Sequence, residues 1–534
     1  AWCYFRRRRH GSLPGVNGSA MTTNSRRGSS GGRKARLNKH EETRSQLTMC
    51  TGSPITAPYQ ALSHDAVLQV HRAALDLLEQ VGMAKATPRV VEVALANGCQ
   101  LSESGRLLFP RAIVEEMISV AAKRFTVHGR DPAFDFVAQN GQVNFCTGGA
   151  AVKMLDIDTH VYRPSTLTDL YDLARLCDTL ENIQWFTRPI VTTDIEDPFE
   201  LDVNTIYACA AGTQKHIATS IVYGDHVYRL LPLLDHLAGG AGQFAHRPFC
   251  TVHATTVVSP MNFAEDSLDV ACAAVDIGMP IHLQTGPQAG ATAPAALAGT
   301  LAQVCAETLA SLSVVNMLKP GHPVVLGTWV MVSDLRTGAF SGGSGEQALL
   351  GAAAGQMLRY YGIPGGMGAG MTDSKVPDNQ AGFEKALTVA LAALSGSGFV
   401  LESAGMLASL LGCSMEGMVI DNDMLTSIRR IGRGIEVNDE TLSVDVIKSV
   451  VEGPGHFLGA DQTLDIMKTE YVYPQHADRQ SPDDWADAGS KDIWKRAEEK
   501  VREILAEHRP IQIDPQTDAR IRDQFPVHLP KLWT

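Results

Sequence analysis

Two textures alternate along this chain. Short, β-branched apolar runs stand at 143–147 (VNFCT), 184–190 (QWFTRPI), 216–222 (HIATSIV) and 249–257 (FCTVHATTV), then at 280–286 (PIHLQTG), 323–330 (PVVLGTWV), 362–369 (GIPGGMGA) and 398–403 (GFVLES). Their starts fall 31 to 43 residues apart. The stretches between them carry apolar residues at helical spacing. In 166–181, Thr166 and Asp169 form a capping-box pattern, and Leu167, Leu170, Leu173, Leu176 and Leu180 supply one apolar side. The same texture occupies 199–212, 226–238, 262–278, 294–317, 345–361 and 380–396. Strand alternating with helix at this period predicts βαβ units on a parallel sheet. Eight units predict an α/β fold of the (β/α)₈ TIM type spanning 143–420. A doubly wound open sheet is the rival, but no run is followed by G-x-G-x-x-G opening a helix.

The flanks have a different texture. Val67, Val70, Ala74, Leu77, Leu78 and Val81 lie at helical spacing, and Pro110 suits a first helical turn. Residues 50–142 are thus expected to form an N-terminal helical and mixed subdomain. Residues 421–534 are expected to form a C-terminal helical extension, with helices at 441–452, 462–470 and 488–508 and an extended tail from Pro510. Residues 1–49 read as a disordered basic leader. The first forty hold ten Lys or Arg and no acid. A start assigned too early, or vector-derived residues, is the preferred reading; an acid-free transit peptide is the alternative. A twin-arginine signal lacks its apolar stretch after Arg6–Arg9.

Composition narrows the function. The net charge is −12, and without the first forty residues 36 basic residues face 58 acidic ones. A body that acidic argues against general nucleic-acid binding. The ten cysteines form no C-x-x-C pair, which suits reduced thiols and a cytoplasmic protein. No run of 18 residues reads as a membrane span, and 386–401 is broken by Gly and Ser. With no H-E-x-x-H and no converging ligand spacing, no metal site is expected.

In such barrels chemistry sits at the C-terminal ends of strands. Those ends carry Cys146, Thr147, Arg188, Thr219, Ser220, Thr255, Gln284, Trp329, Gly368 to Asp373, and Glu402. His253 and His282 lie inside strands and read as core histidines. The run Gly362–Lys385 has glycines at 365, 366, 368 and 370, which remove side chains from one short path. Asp373, Ser374 and Lys375 follow, then a helix bearing Phe383. Ser341–Gly345 (SGGSG) reads as a plain loop before a helix, with anion binding as the alternative. Trp329 at a strand end reads by default as a core residue, with a cation-facing indole as the alternative; a quaternary ammonium, which donates no conventional hydrogen bond, is held by aromatic faces and carboxylates.

MTDSKVPDNQAGFEK, the upstream IPGGMGAG and the later GPGHFLGADQTL resemble the trimethylamine methyltransferase (MttB-like) family, over roughly 60–510. The resemblance implies a (β/α)₈ barrel that moves a methyl group from a tertiary or quaternary amine to the cobalt of a separate corrinoid protein. No pyrrolysine stands in this sequence, which is similar in that respect to the branch containing glycine betaine methyltransferases. The expected activity is corrinoid-dependent demethylation of a quaternary amine such as glycine betaine. A trimethylamine-type methyltransferase and a non-catalytic quaternary-amine sensor are the alternatives, with a barrel lyase using Lys375 as a Schiff-base amine behind them. Asp373, Lys375 and Glu402 are the catalytic candidates, Asp373 to Lys375 as a gate loop and Glu402 for charge. Trp329 is assigned to the ammonium, Arg188 or His456 to a substrate carboxylate, and Gln284 and Phe383 to the substrate wall. Gly365, Gly366, Gly368 and Gly370 are assigned to the approach of the corrin. The expected partners are a corrinoid protein and, because large barrels with helical additions often self-associate, further copies of the chain.

Overall fold

The computed structural model describes residues 52–510 and 513–531. Eight parallel strands form its centre. They are β1 (Gln142–Cys146), β2 (Ile183–Thr187), β3 (His216–Thr219), β4 (Cys250–Thr255), β5 (Ile281–Thr285), β6 (Val324–Thr328), β7 (Gly365–Gly368) and β8 (Gly398–Leu401). Each pairs in parallel with the next, and β8 pairs back onto β1 through Phe399–Asn144 and Val400–Phe145. The sheet is therefore a closed barrel, and the open-sheet rival is excluded. All eight apolar runs became strands. Most strands end two or three residues before their runs do, because the last residues turn outward as mouth loops. The seventh also starts late, since Gly362 is the left-handed cap of the preceding helix at φ +69°.

The helices are α1 (Leu167–Thr179), α2 (Pro198–Gly212), α3 (Gly224–Leu237), α4 (Glu265–Ile277), α5 (Leu297–Leu318), α6 (Gly345–Tyr361), α7 (Asn379–Leu394) and α8 (Met415–Gly432). The capping box of α1 forms as its sequence predicts. Asp197, Ser344, Asp378 and Ser414 cap α2, α6, α7 and α8 by accepting backbone N–H bonds. By length and composition α5 could cross a membrane, yet 89% of its most apolar window is buried. It is apolar all round because the barrel lies on one side and the helices His64–Gln80 and Arg111–Val120 pack on the other.

The N-terminal end of the barrel is plugged. A hairpin of Phe125–Val127 and Phe136–Ala138 puts Val127, Phe136 and Ala138 into one apolar cluster with Trp185, Ala218, Val325, Phe399 and Leu401. At the opposite end the loops build two small sheets around the mouth. One joins Gln288–Ala289, Met331–Ser333 and Phe340–Ser341; the other joins Met406–Leu407, Gly412–Cys413, Lys153–Leu155 and Tyr162–Pro164. The tail corrects one expectation. It is not extended throughout: Pro515–Gln524 is a helix with Pro at its first turn, capped by Asp514, and its buried Asp518 accepts from the Tyr207 hydroxyl on α2. The eight cysteines among the described residues are buried and unpaired.

Desolvation holds His216 and His282 at a pKa of about 3 and His322 at about 4. These rings fold neutral, so the unfolded chain binds more protons below pH 6.5 and acid destabilises the fold. Neither ring nitrogen of His282 has a partner. His282→Leu is expected to remove about 1.4 kcal/mol of the stability lost between pH 7.5 and 5.5. Denaturant unfolding at the two pH values checks this; an unchanged difference refutes it.

Candidate active site

The interior of the barrel at its mouth end is built from alternate residues of each strand. β5 points His282 and Gln284 inward. β4 sets His253 beside them, with ring centroids 4.3 Å apart for His253 and His282, and His253 Nε2 is hydrogen-bonded to the side-chain amide oxygen Oε1 of Gln284. Above β6 stands Trp329, its ring edge-on to His253 at 5.8 Å and its indole N–H without a partner. Burial holds both imidazoles far below their ordinary pKa, so this wall is neutral at pH 7.

The glycines of the seventh strand explain how the indole fits. A Cβ on Gly368 would lie 3.1 Å from the Trp329 ring. One on Gly366 would lie 2.8 Å from Leu401, and one on Gly365 only 2.4 Å from Leu358 of α6. At Gly370, where φ is +98°, it would lie 2.5 Å from the Glu402 carbonyl oxygen. All four glycines are buried under the chain's own atoms. The sequence assigns them to the approach of a corrin with packing as the alternative; in this structure they shape the wall that seats Trp329 and Glu402.

Glu402 follows β8 and is fully buried. It adopts a left-handed conformation at φ +61°, which is strained for a non-glycine residue. The next residue pins the turn: Ser403 donates from both N–H and Oγ to the Cys146 carbonyl, at 2.9 and 2.8 Å. Gly148, past the end of β1, admits the side chain, since a Cβ there would lie 2.9 Å from the Glu402 Cγ. Neither carboxylate oxygen has a hydrogen-bond partner. Burial pushes the group well above the usual carboxylate range and so favours its neutral form.

Arg188 lies one residue beyond β2. Its N–H donates to the Ala218 carbonyl, and its guanidinium donates to the Ile190 carbonyl at 3.3 Å. Burial lowers its pKa, with the carboxyl of Asp202 acting in the opposite sense. Asp202 is itself bonded to His226 at 2.7 Å and raised by burial to about 6. A desolvated guanidinium carrying one carbonyl bond retains donors for an anion.

The remaining candidates lie elsewhere. The Asp373 carboxylate is engaged by the Gly342 N–H at 2.7 Å, by Ser341 Oγ at 3.1 Å and by Ser409 Oγ, while its own N–H donates to Glu384. Asp373 thus ties together the loops after β6, β7 and β8. The Gly-rich turn at 341–345 does receive an anion, and the anion is this side chain. Lys375 is exposed; its Nζ donates to the Asp373 carbonyl at 2.6 Å, and its own carbonyl accepts from Tyr162. Phe383 is exposed on α7, and His456 is exposed in a turn well after the barrel. The structure does not bring these two to the strand ends. Gly148, and the buried Lys385–Asp421 pair at 2.7 Å that holds the Gly405 N–H behind the Glu402 loop, escaped sequence reasoning. The pair TGG at 147–149 is the one local signal for the first; the second joins residues 36 apart and leaves none. Open clefts of about 570 and 430 Å³ border Tyr223 on the helical surface and not the strand ends. Among the described residues no three His, Cys, Asp or Glu side chains converge as metal ligands.

Fold and site together define a (β/α)₈ barrel whose mouth encloses an unpaired carboxyl, a free indole and neutral imidazoles. The chain belongs to the trimethylamine methyltransferase (MTTB) family, whose model matches residues 29–526. It is 32% identical over 457 residues to trimethylamine methyltransferase MttB of Methanosarcina barkeri, covering 84% of this chain and 91% of that protein. A glycine betaine methyltransferase of Desulfitobacterium hafniense is 30% identical over 465 residues, covering 87% and 96%. The trimethylamine methyltransferase MttB of the same bacterium is 29% identical over 463 residues, covering 86% and 92%.

Gly368→Ala is expected to press a methyl group into the Trp329 ring and to cost about 1–3 kcal/mol, the usual range for overpacking. Thermal unfolding of the variant checks this; wild-type stability would show that the indole is free to move away.

Proposed function

We propose that this protein removes a methyl group from a quaternary amine carrying a carboxylate, a betaine, and passes it to the cobalt of a corrinoid protein docked at the barrel mouth. The observation that carries the reading is the Glu402 carboxyl, fully buried with neither oxygen partnered. A buried carboxylate without a counter-charge costs several kcal/mol, so such a group is kept where a ligand supplies the charge. A quaternary ammonium fits what surrounds it, because it needs an aromatic face and an anion but no acceptor. Gly368 and Gly370, two residues apart, put Trp329 and Glu402 on the same stretch of wall. The neutral state of His253 and His282 adds no further positive charge to that of Arg188. Arg188 is the group suited to the substrate carboxylate.

The chemistry asks little of the protein beyond this. A quaternary nitrogen departs as a neutral tertiary amine, and cobalt(I) of the acceptor supplies the electron pair for the new bond. The N–CH₃ bond breaks with its electrons left on nitrogen. This chain's side chains bind, orient and desolvate the ammonium, with the methyl group turned toward the mouth. Asp373 serves by fixing the three loops that frame that opening. Support for a betaine over trimethylamine comes from Arg188, which would have no partner on trimethylamine. The relatives' names include both substrates, so they leave this choice to experiment.

The decisive assay follows the cobalt(I) spectrum with glycine betaine, proline betaine, carnitine, choline and trimethylamine. Loss of the band with a betaine but not with choline is the expected result; loss with trimethylamine alone refutes the carboxylate reading. Trp329→Leu is expected to weaken betaine binding about 30-fold, from the roughly 2 kcal/mol of a desolvated cation–π contact. Equilibrium dialysis measures it, and unaltered affinity would remove the indole from the site.

Binding is also expected to be coupled to protons. Burial favours the protonated form of Glu402 and a bound cation favours its ionised form, so betaine binding is expected to release protons and affinity to rise with pH. No other charged side chain contributes to this group, and the Cys146 thiol on the adjoining strand is itself pushed up by burial and neutral. Calorimetry in two buffers of different ionisation enthalpy reads the proton count. Equal heats in both buffers refute the coupling, and Glu402→Gln is expected to abolish it.

A further inference from the structure

The turn that carries Glu402 is anchored on both sides. On one side Ser403 is tied to the Cys146 carbonyl at the end of β1. On the other, the Gly405 N–H donates to Asp421 Oδ2 on α8 at 2.8 Å. The same oxygen accepts from Lys385 Nζ on α7 at 2.7 Å, and both charged side chains are buried. Gly405 lies at φ +90°, and a Cβ there would lie 3.1 Å from Met418 Cε, so the turn is pressed against α8. Helix α7 grips the neighbouring loop as well. Thr388, on the same face as Lys385 at i+3, accepts from the Gly370 N–H at 3.2 Å. Gly370 is the residue whose bare backbone packs on the Glu402 carbonyl.

Stability alone is a poor reason for the ion pair. Its attraction scarcely offsets the desolvation of two charges, and apolar side chains of similar volume serve a fold as well or better. Direct electrostatic tuning of Glu402 is not the reason either. Burial is the sole cause of that carboxyl's displacement, and neither Lys385 nor Asp421 contributes. What remains is the bond to the Gly405 N–H, three residues beyond Glu402. A non-glycine residue stays left-handed only where its surroundings over-determine it. Lys385 opposes the upward push of burial on Asp421 and fixes the direction of its oxygen.

We infer that Lys385 and Asp421 are positioning residues for Glu402: through the Gly405 N–H they lock the left-handed turn that directs its carboxyl into the barrel mouth. The use of that carboxyl rests on its reading as the ammonium's counter-charge; the locking of the turn does not.

The first measurement therefore needs no ligand. Infrared difference spectroscopy of the full chain follows the protonated Glu402 carboxyl, whose band is the one lost in Glu402→Gln. Lys385→Met with Asp421→Leu removes both charges and the acceptor together. Its melting temperature is expected to stay close to that of the wild type, because the gain from removing a buried pair offsets the unpartnered N–H. Glu402 is expected to titrate about one pH unit lower or more, as the freed turn lets the carboxyl reach water. Lys385→Met with Asp421→Asn, which returns a carbonyl oxygen to Gly405, is expected to restore the wild-type titration. A lower melting temperature with Glu402 titrating as in the wild type is the signature of a purely structural pair and overturns the inference. So does an Asn variant that behaves as the Leu variant. Lys385→Met alone decides if the Leu variant does not fold: amide exchange of a peptide spanning 402–405 is expected to quicken while that of 398–401 does not, and unchanged exchange overturns the inference. Betaine affinity reads the consequence. It is expected to fall about tenfold in the Leu variant, as for a lost hydrogen bond to a charged group, and to recover in the Asn variant. A wild-type chain that binds no betaine sinks the amine reading, and the infrared titration still decides the role of the pair.

Discussion

The close approach of β6, β7 and β8 is the constraint from which the rest of the mouth follows. Parallel strands in a small barrel fill their interior with side chains, and a Trp beside a Glu is too much volume for an ordinary neighbour strand. β7 resolves this by having almost no side chains. Gly365 admits Leu358 from outside, Gly366 admits Leu401 from inside, and Gly368 lets the Trp329 ring lie against the backbone. Gly370 then turns through a left-handed conformation over the Glu402 carbonyl. Remove this economy of volume and the indole and the carboxyl cannot occupy one wall.

The second constraint is electrostatic. The barrel interior excludes water, so each titratable group there takes its neutral form unless a partner supplies charge. His253 and His282 do so as bases and Glu402 as an acid. The outcome is a wall of neutral imidazoles beside the Arg188 guanidinium and one carboxyl, Glu402, whose neutral form burial favours. The charged residues that hold the framework, Asp373 with its three donors and Lys385 with Asp421, are paired outside the interior.

Division of labour runs along the barrel axis. The mouth end carries strained turns, orphaned polar atoms and glycines. The opposite end carries a hairpin plug and a short strand added antiparallel to β1. His456, in the family-like GPGHFLG motif, lies in an exposed turn and not near the substrate wall.

The chain's order of apolar runs determined the architecture by itself. A period of strand and helix repeated eight times has few right-handed solutions, and strand ends then locate Trp329, Arg188, Gln284 and Glu402 at one mouth. The TDSK loop looked equally chemical in sequence. Only packing showed that Asp373 is consumed by Ser341, Gly342 and Ser409, residues 31 to 36 positions away. The same holds for the glycines, whose occupants Leu358, Leu401 and Trp329 come from α6, β8 and β6. A sequence displays which side chains a position offers. Whether an acid is satisfied or orphaned, and whether a glycine faces a ligand or a neighbour, depends on atoms brought close by closure of the barrel, and that only the tertiary structure decides.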